Sequence, residues 1–148
     1  MKHAAKHSHS DQQKPNAFTF PVRIYYEDTD HSGVVYHANY LKYFERAREH
    51  LLGPDRLVAL LRDEGLGFVV YRCEMKFREG AVFGDELEIR STVALESPFR
   101  AVFRQDVVRS GGTLLVEGCV EMVCIDASRR LVRIPNDVVH ACRAHASA

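Results

Sequence analysis

The sequence predicts an α+β fold, an antiparallel sheet laid against one long helix. Tyr40, Phe44, Ala47 and Leu51 recur at helical spacing, and Leu41 and Leu52 widen the stripe into a face that must be buried. Four consecutive runs with the period of a strand then fill most of the second half of the chain. Their short connections are those of neighbouring antiparallel strands. One further strand-like run precedes the helix.

Each element has its own local cause. Phe18, Phe20, Val22, Ile24 and Tyr26 alternate with Thr19, Pro21, Arg23 and Tyr25, as in a half-buried strand. Pro21 puts that strand at an edge or a start, because it has no N–H to give a ladder. Gly53-Pro54 ends the long helix, whose Lys42, Glu45, Arg46 and Glu49 fall largely on its other faces. A shorter helix over residues 55–64 has Leu57, Leu60 and Leu61 as its apolar side and Gly65 as its stop. Val69, Tyr71, Cys73, Met75 and Phe77 share a face of the next strand, and Leu87, Ile89, Val93 and Leu95 a face of the one after. Residues 100–109 form another strand. Gly111-Gly112 then turns the chain into 113–125, where Leu114, Val116, Val120, Met122 and Cys124 share a face. Pro135-Asn136-Asp137 opens a short C-terminal helix.

Composition narrows the function. The 148 residues suit one domain over 17–148, preceded by a polar, flexible tail over 1–16. In that tail His3, His7 and His9 read as part of a solvated arm rather than a metal site. Twenty basic residues cancel twenty acidic ones, so no overall field favours nucleic acid or an anionic membrane. No apolar run approaches the ~20 residues that span a bilayer, and the N-terminus lacks the apolar core of a secretory signal. Cys73, Cys119, Cys124 and Cys142 form no C-x-x-C pair and read as small hydrophobes. A cytoplasmic protein is expected.

The chemistry concentrates between Tyr25 and Leu52. Glu27, Asp28 and Asp30 lead into a Ser32-Gly33 turn, then Val34-Val35-Tyr36-His37, then the long helix. That order brings a carboxylate close to the electropositive start of a helix. Attack on a carbonyl with stabilisation of the oxyanion requires both. The same acids with His31 and His37 do not have the spacing of metal ligands, and no metal is expected.

The run EDTDHSGVVYHANYLKYFERAR, Glu27 to Arg48, resembles the acyl-CoA thioesterases of the hotdog fold. It is most similar to the bacterial thioesterases associated with the Tol-Pal system, relatives of 4-hydroxybenzoyl-CoA thioesterase. Glu64-Gly65-Leu66-Gly67-Phe68-Val69-Val70, Gly84-Asp85-Glu86-Leu87 and Ile134-Pro135 extend the likeness over about residues 20–140. The resemblance implies a sheet wrapped around the long helix, and a homodimer or homotetramer with active sites at the subunit interface. It implies an acyl-CoA or acyl-carrier-protein thioester as substrate, with short to medium or aromatic acyl groups. It implies no cofactor, and partners in the Tol-Pal system or lipid synthesis. The sequence departs from the family pattern at His31-Ser32, at Phe77 where Tyr is frequent, and at Gly80 where Pro is frequent.

By the same resemblance Asp30 is the base or nucleophile, and the backbone N–H of His37 is the main oxyanion donor, its imidazole positioning water or thioester. Gly33, Val34, Val35 and Tyr36 line the substrate site. Tyr26, on the inward strand face, either hydrogen-bonds within the site or belongs to the core. Asp28 either supports the site residues from behind or forms the turn, and Glu27 is solvated or paired with a cation. Arg46, Arg48, Arg78, Arg100, Arg129 and Arg130 are candidates for a rim that holds CoA phosphates. Two other readings share the fold: a hydratase or dehydratase, which places its acid and base differently, and a non-catalytic module that binds acyl-carrier protein or another partner.

Overall fold

The computed structural model describes residues 16–147, so the expected tail lies, apart from Asn16, outside the described residues. Five strands form one antiparallel sheet: β1 (Phe18–Arg23), β2 (Gly67–Phe77), β3 (Glu86–Ser97), β4 (Arg100–Arg109) and β5 (Thr113–Ile125). Their order is β1-β3-β4-β5-β2, so β1 and β2 are the edges and Pro21 sits where its missing N–H is tolerated. Among the described residues three α-helices accompany the sheet: α1 (Asn39–Leu52), α2 (Pro54–Ala59) and α3 (Asn136–Arg143). The α+β class is as the sequence predicts. No described helix is long and apolar enough to cross a membrane.

The core forms where α1 meets the sheet. Tyr43, Phe44 and Ala47 pack among Ile89, Val93, Phe103, Val107, Val116 and Val120, all almost wholly buried. Each large side chain so buried contributes about 1.5–3 kcal/mol relative to exposure. Gly118 on β5 lets the helix approach closely, because a β-carbon there would stand 2.5 Å from a Phe44 ring carbon.

The buried face of α1 holds Tyr40, Phe44, Ala47, Leu51 and Leu52 as expected, with two additions and one loss. Tyr43 and Arg48 are inside, while Leu41, read as part of the stripe, is exposed. Arg48 lies four residues after Phe44 and four before Leu52, so helical spacing already places it on the buried side. Its guanidinium donates to Gln105 Oε1 at 2.8 Å and pairs with Glu45. Gln105 in turn donates to the Phe44 carbonyl (3.1 Å) and the Ser91 hydroxyl (2.9 Å). Burial pulls the Arg48 pKa below its ordinary value, opposed by Glu45. Arg48 is therefore a core residue.

Local irregularities correct three other expectations. In β2 the register shifts between Val70 and Arg72, leaving Tyr71 as an extra residue. Phe68 and Val70 consequently lie opposite the buried Cys124 and Met122, and Cys73 and Phe77 opposite the buried Val120 and Val116. Val69 and Tyr71 do not share their face, because one inserted residue inverts the alternation. In β5 Leu115 is the extra residue between Leu114 and Val116, and it is fully buried. The second helix is split: α2 gives way to a wider π-turn over Leu60–Glu64, which leaves Leu61 exposed before Gly65 stops it at φ +63°.

Candidate active site

β1 ends at Arg23, and the next residues form a single 3₁₀ turn, Tyr26–Asp28. Strand alternation therefore does not reach Tyr26. Tyr26 is 79% exposed, and its ring packs edge-on against Phe83, with centroids 6.2 Å apart, rather than lying on an inward face. Asp28 ties the turn together. Its N–H donates to the Tyr25 carbonyl (3.0 Å), and its Oδ2 accepts the Tyr25 N–H (2.7 Å). This is the turn-forming role expected of Asp28.

Asp30 opens the next turn and is half-buried. Its Oδ1 accepts the Ser32 N–H at 2.8 Å, a short-range Asp bond that sets the carboxylate's direction. The Asp30 N–H donates to the Val34 carbonyl (2.9 Å) and the Gly33 N–H to the Asp30 carbonyl (3.0 Å). Gly33 sits at φ +81°, which a residue with a β-carbon rarely adopts. A bridge between Thr29 and Val35 closes the loop on both sides. The chain thus leaves Asp30, turns within a few residues, and returns to the start of α1.

The segment 80–83 holds the far side of this turn. Val35 N–H donates to the Ala81 carbonyl (2.9 Å), and Val34 bridges Val82. The buried Tyr40 hydroxyl accepts the Ala81 N–H at 3.3 Å. Burial raises the Tyr40 pKa, with Ala81 opposing. At Gly80 a β-carbon would meet Val34 Cγ1 at 2.8 Å, so the departure from Pro accompanies a close approach of two segments. Val35 is 4% exposed and packs in the core.

At the helix start, Asn39 N–H donates to the Tyr36 carbonyl (2.8 Å) and Leu41 N–H to Ala38 (3.2 Å). Among the described residues no acceptor meets the His37 or Ala38 amide. Such unpaired donors at the positive end of a helix suit a developing oxyanion. The exposed His37 ring lies edge-on to Phe77 (6.4 Å) and next to Tyr36 (4.6 Å). Phe77 also packs on Tyr40 (5.9 Å). Tyr36, Phe77, Val82 and Phe83 are all substantially exposed around this point.

Sequence reasoning missed Tyr43. It is 1% exposed, no acceptor or donor among the described residues meets its hydroxyl at hydrogen-bond geometry, and burial together with the nearby Asp28 carboxylate raises its pKa. Spacing alone offered a signal, since Tyr43 is four residues before Ala47. Of the proposed rim arginines, Arg78 pairs with Glu117 (2.7 Å) and Arg100 reaches Glu96 (3.5 Å) and Tyr71. Arg46 lies over the Tyr43 ring at 6.0 Å.

A half-buried carboxylate and free helix-start amides on one closed turn suit acyl transfer to water. Residues 24–142 match the family model of the thioesterase-like superfamily. The chain is 38% identical over 124 residues to the acyl-CoA thioester hydrolase YbgC of Escherichia coli O6:H1, covering 82% of this chain and 92% of that one. It is 36% identical over 126 residues to the acyl-CoA thioesterase YbgC of Haemophilus influenzae, covering 83% and 92%. The 1,4-dihydroxy-2-naphthoyl-CoA thioesterase of Synechocystis superposes with a TM-score of 0.80 at 24% identity, over 86% of this chain and 96% of that one, a likeness of fold. The chain belongs to the thioesterase-like superfamily, as a thioester hydrolase with the hotdog fold.

Proposed function

We propose that this protein hydrolyses the thioester of acyl-CoA to the free acid and the thiol, with short to medium or aromatic acyl groups. Asp30 takes a proton from water, and the resulting hydroxide attacks the thioester carbonyl. The alternative is direct attack by the carboxylate, giving an anhydride that water then cleaves. In either course the His37 N–H, with the positive end of α1, stabilises the oxyanion. The C–S bond then breaks, and the thiolate leaves with little need of a proton. The carrying observation is the turn that joins Asp30 to the unpaired amides just before α1. Relatives that are acyl-CoA thioesterases over most of their length support the reaction.

The substrate's course follows from what surrounds that turn. Gly33, Val34 and the ring of Tyr36 lie along it, with the imidazole of His37 and the ring of Phe77 beside them. Tyr26, exposed and edge-on to Phe83, belongs to the rim. Tyr36, Phe77, Val82 and Phe83 leave apolar surface exposed here, as an interaction site does. A second copy covers it in a homodimer or homotetramer, with the sites at the interface. Acyl-carrier protein is a second carrier, and the Tol-Pal system or lipid synthesis supplies the partners.

Acyl-CoAs of graded length, with released thiol followed optically, test the reading. Asp30→Asn should lower turnover by roughly two or more orders of magnitude. Near-normal turnover in a folded Asp30→Asn variant would remove the acid from the mechanism. His37→Ala should retain part of the activity, because the backbone donor survives.

A further inference from the structure

We propose that Asn39, the first residue of α1, is a positioning residue for thioester hydrolysis. Its side chain clasps the 3₁₀ turn that leads into Asp30 to the helix start that receives the oxyanion. The inference rests on the roles proposed for Asp30 and the His37 amide. Its physical basis is one carbonyl. Asp28 O accepts the Asn39 side-chain Nδ2–H at 2.9 Å and the Tyr36 N–H at 2.9 Å. Asp28 is two residues before Asp30; Tyr36 directly precedes His37, and Asn39 follows it by two. The paired bonds therefore join the residues that flank the acid to those that flank the amide.

Two bonds from different directions fix an orientation, whereas one bond is a hinge. Asp28 cannot yield easily, because its own N–H and carboxylate are both bonded to Tyr25. The Asn39 bond is part-buried, so water does not readily replace it. The choice of residue is informative too. Asp would interact more favourably with the helix dipole at this position, yet α1 has no acidic residue in its first turn. A neutral donor keeps the clasp and leaves the helix's positive end to the reaction.

Two variants test this in steady-state kinetics with an acyl-CoA that the unmodified protein turns over. Asn39→Ala removes the donor without adding charge, and Tyr36 N–H still occupies the carbonyl. Its kcat should fall roughly 10- to 100-fold, the scale of a misplacement near 1 Å, with KM and melting temperature little changed. Asn39→Asp also removes the donor, while its charge supports the helix, so it remains folded; its kcat should fall at least as far. Normal kcat in Asn39→Ala overturns the clasp, even if Asn39→Asp is slow, since charge alone would then explain the loss. A loss that tracks the unfolded fraction, or that appears only in KM, also overturns it. If Asp30→Asn is inactive while Asn39→Ala is normal, the clasp fails alone. If Asp30→Asn is fully active, the underlying assignment fails.

Discussion

A β-carbon added to Gly118 would meet Phe44 ring carbons at 2.5 and 2.7 Å and the Gln105 carbonyl oxygen at 3.0 Å. Backbone and ring are both held by the core, so neither yields cheaply. Gly118→Ala should lower stability by about 1–3 kcal/mol, seen as an earlier thermal melt; an unchanged melt would mean that Phe44 repacks freely. Gln105 presents a polar version of the same constraint. Replacing it with Leu leaves the Arg48 guanidinium and the Phe44 carbonyl each short of a partner in the interior. Gln105→Leu should cost about 1–3 kcal/mol in denaturant unfolding. A stability equal to that of the unmodified chain would show that water reaches the network. The turn chemistry at Asp30, Ser32 and Gly33 was legible because those bonds span two or three residues. The burial of Arg48 was less so, since its polar partner is 57 positions away.

Between elements, α3 is tied to α2 by Arg56, which pairs with Asp137 and also reaches Glu64 at 3.3 Å. The Arg56 hydrogen bond holds the Asp137 carboxyl below its ordinary value of 3.8, partly offset by burial. A depressed folded pKa means that the contribution is present above 3.8 and is lost as pH falls through the folded value. Asp137→Asn should therefore melt earlier than the unmodified chain at neutral pH, and the gap should close well below pH 3.8. A gap that persists in acid would assign the difference to something other than the ion pair. The pair is largely exposed, so the gap is small and narrows with salt. Element types were readable in advance because periodicity is local. The extra residues Tyr71 and Leu115 were not, because each is defined only by the strand paired beside it.

At the scale of the molecule, β2 is an open edge with Val69, Val70, Tyr71 and Phe77 substantially exposed. An edge strand with unpaired backbone and apolar side chains is a template for pairing with another chain. With Val69 and Val70 both replaced by Glu, the proposed homo-oligomer should shift toward monomer in sedimentation and lose turnover with it. A variant that keeps the oligomer's mass would move the interface away from this edge. Phe77 joins that edge to the site, since the same ring packs on His37 and Tyr40.

The chain's order of residues by itself determined the α+β class, the helix stops at Gly53 and Gly65, and the acid–turn–helix motif. Each depends on side chains within a few positions of one another, where spacing and turn chemistry act directly. The tertiary structure alone decided which partners meet Arg48 in the core, where the strands change alternation, and how Asp28 O meets Asn39. Those outcomes depend on segments distant in the chain packing together. Tyr26 marks the boundary: its alternation was genuine as sequence, but the strand ended three residues earlier and turned its ring outward.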